Sequence, residues 1–132
     1  MKNRSVLGVL VLLALLLALM VPGAPAAKAA TGHRIDVGYT ILQGGYWKGS
    51  GSYNNYDGVY RAVCVGLWFT GVNGAVNLSV RCVGTPKGGG YAFSAPSVRC
   101  GNSPGYVWTK VEGFKHSGNT DVKTSNRIGA HC

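Results

Sequence analysis

The stretch VNLSVRC, residues 76–82, alternates Val76, Leu78, Val80 and Cys82 with Asn77, Ser79 and Arg81. A two-residue period fits a strand with one apolar face, and no segment of the domain shows the 3.6-residue period of an amphipathic helix. The same alternation runs through Ile35, Val37, Tyr39 and Ile41, and through Val59, Val63, Val65, Leu67 and Phe69. Tyr91 and Phe93 mark a fourth strand, Val107, Thr109 and Val111 a fifth, and residues 122–128 a sixth. Glycine and proline clusters, TPKGGG (85–90) and GNSPG (101–105), separate them as turns. The fold class this predicts is all-β, a small antiparallel β-sandwich or barrel of about 6–7 strands with two disulfides.

Asn73-Gly74 predicts a tight hairpin between two of these strands. A two-residue turn there sets Phe69 opposite Leu78 and Val65 opposite Cys82, which keeps both apolar sets on one face. A three-residue turn, 72–74, sets Cys64 opposite Cys82 instead. A bulge in the first strand would reconcile the two, and the disulfide connectivity stays open.

Ahead of the domain, Lys2 and Arg4 precede the apolar run VLGVLVLLALLLALMV (6–21), Pro22 and Gly23 break it, and Ala27-Lys28-Ala29 fits a small-x-small cleavage site. Residues 1–29 read as a cleaved signal peptide and 30–132 as a single secreted β-domain. No membrane span is expected after cleavage, because the run falls short of the roughly 20 residues a span needs. Localisation is then extracellular or at the cell surface. Cys64, Cys82, Cys100 and Cys132 all follow the leader, and an even count in an exported chain predicts two disulfides. Their spacing suits no zinc site, so no metal or cofactor is expected. Losing Lys2, Arg4 and Lys28 leaves ten Lys and Arg against four acids, +6 in place of the whole chain's +9. Outside a cell such a charge favours anionic envelope polymers or acidic glycans. Nucleic acid is not the expected partner.

No enzyme is expected. Asp36, Asp57, Glu112 and Asp121 form no evident acid–base pair, and neither a G-x-S-x-G elbow nor an H-E-x-x-H helix occurs. Ser52, His116 and Asp121 make a triad only on paper. Asn54, Asn55 and Asp57 offer calcium too little charge, and turn formation already accounts for them. Asn77-Leu78-Ser79 matches a glycosylation sequon by chance.

Two groups of side chains are candidates for binding. The stretch GGYWKGSGSYNNYDG (44–58) sets Tyr46, Trp47, Tyr53 and Tyr56 beside Lys48 among glycines and amides, with Tyr60 just beyond. Flat rings beside hydrogen-bonding groups suit sugar rings, and rings beside a cation suit single-stranded nucleic acid; the competing and favoured expectation is that two or three of these rings close the core. In the second group Trp108 and Lys110 share one face by period two, as do Lys123 and Arg127. If those faces coincide, Arg99 joins them in a cationic patch with one aromatic.

YRAVCVGLWF (60–69), VNLSVRC (76–82), GYVWTKVEG (105–113) and the final Cys132 together resemble the small four-cysteine secreted β-domains of actinobacteria, some of them spore-associated. GGYW (44–47) followed by YNNYDG (53–58) is similar to lactococcin-type secreted bacteriocins, small β-sandwich toxins that act on the envelope of competing cells. Members of that family generally lack cysteines, and the likeness ends near residue 60. Three functions are therefore expected, in this order: a non-enzymatic cationic domain that binds anionic or glycan components of envelopes, with antimicrobial action; an inhibitor of an extracellular hydrolase, with GNSPG or SAPSVRC (94–100) as its presented loop; and a structural component of a spore or cell surface.

Overall fold

In a computed structural model, residues 31–84 and 87–132 are described; the leader read at 1–29 and the first residues of the 85–90 turn lie outside them. The described residues hold eight strands and no helix: β1 (His33–Gln43), β2 (Tyr46–Asn55), β3 (Tyr60–Gly71), β4 (Gly74–Gly84), β5 (Gly88–Ser94), β6 (Pro104–Lys115), β7 (Thr120–Thr124) and β8 (Ile128–His131). Every pairing is antiparallel, in two sheets ordered β1-β2-β5 and β4-β3-β6-β7, with β8 also pairing β6.

Eight strands exceed the number expected, for two reasons. The 44–58 segment, counted among binding candidates and not among the six strands, is mostly β2. The single strand expected over 122–128 is interrupted, so β7 and β8 pair different stretches of β6. Gly88 to Gly90, expected in a turn, open β5.

The core lies between the sheets. β3 contributes Val63, Val65, Leu67 and Phe69, and β6 contributes Val107 and Val111; Ile35, Trp47 and Tyr53 come from the other sheet. From Trp47 onward β2 alternates strictly between buried and half-buried residues, and two of its inward positions are Gly49 and Gly51. A Cβ on Gly49 would stand 2.4 Å from Thr109 Oγ1 and 2.9 Å from Leu67 Cδ2. One on Gly51 would stand 2.5 Å from Val111 Cγ2 and 2.8 Å from Val65 Cγ2. The branched side chains of β3 and β6 occupy the space that side chains on β2 would need.

The β3–β4 hairpin settles the disulfide question. Gly71 pairs with Gly74, so the turn is Val72-Asn73, one position earlier than a two-residue Asn73-Gly74 loop. A mirror-image turn centred on Asn73-Gly74 would need positive φ at Asn73 for type I′ and II′ alike; only Gly74, at φ 98°, has it. The register then shifts between Leu67 and Trp68, where Leu78 is the extra residue, so the bulge lies in β4 and not in β3. Beyond it Cys64 stands opposite Cys82 and the two are bonded, with Cα atoms 4.0 Å apart. The alternation that made β4 look half-buried is thereby put out of phase. Val76 and Val80 are both exposed, on opposite sides of the strand. The second disulfide, Cys100–Cys132, ties the β5–β6 crossing to the end of β8. That crossing is also pinned by backbone hydrogen bonds between Trp47 and Val98 in both directions. Two disulfides are consistent with an oxidising, extracellular compartment, and no helix among the described residues is long and apolar enough to cross a membrane.

Gly51→Ala is expected to lower stability by about 1–3 kcal/mol, read as a lower urea midpoint, because the β3 and β6 side chains must give way. Cys64→Ser/Cys82→Ser is expected to cost roughly 3 kcal/mol for a loop of this size. Hydrogen exchange should then accelerate most in β4, an edge strand with few buried side chains; equal acceleration across both sheets would contradict its dependence on the disulfide.

Candidate functional site

The strand register divides the rings of residues 44–58 between two faces. Trp47 and Tyr53, each 5% exposed, point into the core, and burial pushes the Tyr53 phenol above its ordinary pKa. These two, with Tyr60, are core residues, as the expectation that two or three of the rings close the core has it, and Trp47 and Tyr53 thereby leave the candidate binding group. Tyr56 is half-buried with its hydroxyl packed over Gly89. Lys48, on the outward side, donates to Gln43 Oε1 at 2.9 Å. Tyr46 stays exposed, with the Arg99 guanidinium 5.1 Å from its ring centre. The amide-rich end of the segment is a turn clamp: buried Asn55 donates through Nδ2 to the Tyr60 carbonyl and accepts the Tyr60 N–H at Oδ1. Asp57 accepts from Val59 N–H and pairs with His33 Nδ1 at 2.7 Å.

The second group does assemble, with a changed membership. On β3 the odd-numbered residues face the core, so Gly66, Trp68 and Thr70 face out; on β6 the outward residues are Tyr106, Trp108, Lys110 and Glu112. Trp68 and Trp108 are direct cross-strand partners and stack, ring centres 5.6 Å apart at 23°. Lys110 Nζ lies 5.0 Å over the Trp68 ring, and Arg127 Cζ lies 5.8 Å over the Trp108 ring. The result is a row, Arg127–Trp108–Trp68–Lys110, across the sheet's outer face. Stacked rings and ring–cation pairs on a partly exposed surface each contribute about 0.5–1.5 kcal/mol.

Local contacts fix this row. Trp108 Nε1 donates to Thr70 Oγ1 at 3.1 Å, and Lys110 forms an ion pair with Glu112 at 2.7 Å. Gly66, opposite Lys110, is covered by its neighbours: a Cβ there would stand 3.0 Å from Trp68 Nε1 and 3.1 Å from Asn77 Nδ2, so the indole packs over a position with no room for a side chain. Beside the row an open cleft of about 670 Å³ is lined by Thr70, Tyr106, Arg127 and Gly129, among others.

Lys123 and Arg99 do not join it. Lys123 pairs with Val111, an inward position, and its ammonium reaches Asp36 on β1 at 2.8 Å. Arg99 sits over Tyr46 on a different part of the surface. Trp68 was missed because the reading of residues 59–69 followed only the valine, leucine and phenylalanine phase. The opposite phase of the same strand, Gly66-x-Trp68-x-Thr70, carried the signal.

Three of the four carboxylates gather where β1 meets β7. Lys123, and then Arg34, hold Asp36 below its ordinary pKa through hydrogen bonds. Lys115 does the same to Asp121, helped by the Tyr60 hydroxyl donating at 2.6 Å, and the His33 hydrogen bond lowers Asp57. Burial, and secondarily that bond to Asp121, pushes the Tyr60 phenol well above its usual value. Tyr60 therefore stays a donor and Asp121 an acceptor, a fixed tie rather than a proton-transfer pair. No hydrogen bond brings Ser52 or His116 side chains to Asp121 among the described residues.

No protein-family model matches the chain, and no curated protein matches it in sequence.

Because these carboxylates have lowered pKa values in the folded state, their stabilising contribution is present above the unfolded value of about 3.9 and is lost as pH falls through the folded values. The urea midpoint is expected to hold between about pH 5 and 7 and to drop below about pH 4. Asp121→Asn should lower the midpoint at neutral pH and shrink the acid drop; an unchanged acid limb would contradict the assignment.

Proposed function

We propose that the protein is a secreted, non-enzymatic β-sandwich that binds anionic polymers of cell envelopes, with antimicrobial action as the physiological form of that binding. The observation that carries this reading is the row Arg127–Trp108–Trp68–Lys110 on the outer face of the β4-β3-β6-β7 sheet. Stacked rings flanked by two cations offer an acidic glycan or a phosphate-bearing polymer both an apolar contact and a counter-charge. The net charge of +6 left once Lys2, Arg4 and Lys28 depart with the leader adds long-range attraction that salt screens.

One observation favours a second reading, an inhibitor of an extracellular hydrolase. Gly101, Asn102, Ser103 and Pro104 are exposed in succession directly after Cys100, whose bond to Cys132 anchors them. The other loop considered for that role, SAPSVRC, is held down by buried Ala95 and by Val98 against Trp47. An interface of the inhibitor kind would survive salt.

The oxidised, leaderless protein, incubated with lipoteichoic acid, acidic polysaccharide and whole bacterial and fungal cells, is expected to bind at low salt and to release at about 0.5 M salt. Lys110→Glu and Arg127→Glu, both on the outer face, should each weaken binding about tenfold with an unaltered near-ultraviolet dichroism spectrum. Absence of binding to every anionic surface at low salt would remove this reading, and salt-resistant capture of a secreted hydrolase would favour the second.

A further inference from the structure

The two sheets are aligned so that both long hairpins turn at the same end of the molecule. Gly51 lies over Val65 and Val111, and Gly49 over Leu67 and Thr109. Continuing two residues at a time brings Trp47 level with Phe69 and Val107, and the Gly44-Gly45 turn level with the Val72-Asn73 turn. The Cys100–Cys132 bond and Pro104, which lines the clefts beside Val72, lie at this end too.

The two most exposed large apolar side chains among the described residues stand at this end. Val72 at one apex is 95% exposed and Leu42 beside the other is 58% exposed. Ile41, Tyr46, Val76 and Tyr106 are exposed around them. Behind these apolar tips stand cations on rings: Arg99 over Tyr46 and Arg127 over Trp108, with Lys48 on the outward side of β2. All four side-chain carboxylates among the described residues are on the other half. Asp36 pairs with Ser52, Glu112 with Cys64 and Asp121 with Gly113, while Asp57 sits in the turn between β2 and β3.

We propose that this end docks on the surface of an anionic lipid bilayer. Leu42 and Val72 enter the boundary between headgroups and acyl chains, and Arg99, Arg127 and Lys48 meet the lipid phosphates. Three features select a bilayer over a folded protein. The apolar side chains stand at two separate hairpin ends, with open clefts flanking the Val72 turn, not on one flat patch. Tyrosine and tryptophan paired with cations one layer behind is the order of polarity found across a membrane interface. The side-chain carboxylates that an anionic surface would repel are confined to the far half. This inference rests on the envelope-directed reading but uses a different surface from the Trp68–Lys110 part of the row.

The test is co-sedimentation of the oxidised protein with phosphatidylcholine vesicles, with and without about one-third phosphatidylglycerol, at low salt. Soluble lipoteichoic-acid binding is measured in parallel. Binding is expected only to the anionic vesicles, with a blue shift of tryptophan emission as Trp108 leaves water. Leu42→Asp and Val72→Asp, at exposed apices that the fold does not need, should each reduce vesicle partitioning about tenfold and leave polymer binding intact. Polymer binding by the wild type without vesicle binding would overturn the inference and spare the proposed function. Vesicle binding that both variants retain in full, or that neutral vesicles support equally, would overturn it as well. A dimer that Val72→Asp dissociates, with no vesicle binding, would assign the tips to a second copy of the chain.

Discussion

Gly49 and Gly51 allow β2 to lie against the branched side chains of β3 and β6, and most of the molecule's geometry depends on that close approach. Val65, Leu67, Thr109 and Val111 fill the space where β2 would otherwise carry side chains. Branched residues on one wall and bare backbone on the other interlock with little freedom to slide, because protein interiors are packed as densely as molecular crystals. That fixed alignment sends Trp47 and Tyr53 inward on either side of the glycines. It also sets the two hairpin turns at one end and the acidic seam at the other.

The remaining constraints hold the margins. β4 buries little and depends on the Cys64–Cys82 bond to stay in register. The β5–β6 crossing is held by Cys100–Cys132 and by Trp47 backbone pairing. The open side between β1 and β6–β7 is closed by polar contacts: Thr40 hydrogen-bonds Thr109 and Ser125, and Lys123 pairs with Asp36. Spending three of four carboxylates on that seam leaves the outer sheet face and the hairpin end dominated by cations and rings. The charge asymmetry is thus a by-product of how the sheets are joined, and it gives the proposed binding surfaces their sign.

Strand class was legible because period-two alternation reports directly on a one-sided sheet, as in Val63, Val65, Leu67 and Phe69. The segment 44–58 was harder to read, because β2 alternates ring or glycine inward with polar residues outward, and an inward glycine carries no hydrophobic signal. β4 misled for the opposite reason. Its clean alternation suggested one buried face, but the Leu78 bulge shifts the phase halfway along so that Cys82 can meet Cys64. Of the outer-face row, Trp108 and Lys110 could be paired by counting along β6. Trp68 needed the second phase of β3 to be read, and Arg127 needed the turn between β7 and β8.

The sequence by itself determined an all-β domain with two disulfides in its cationic chain, since alternation, glycine punctuation and cysteine parity are local or compositional properties. Tertiary structure decided which rings are core and which are surface, which cysteines join, and that Lys123 serves the acidic seam while Trp68 completes the outer row. Those outcomes depend on register, and register is set by bulges and sheet-to-sheet contacts between residues far apart in the chain. A shift of one residue exchanges the two faces of a strand. Local patterns along this chain give the two faces of a strand but not the register that decides which faces meet.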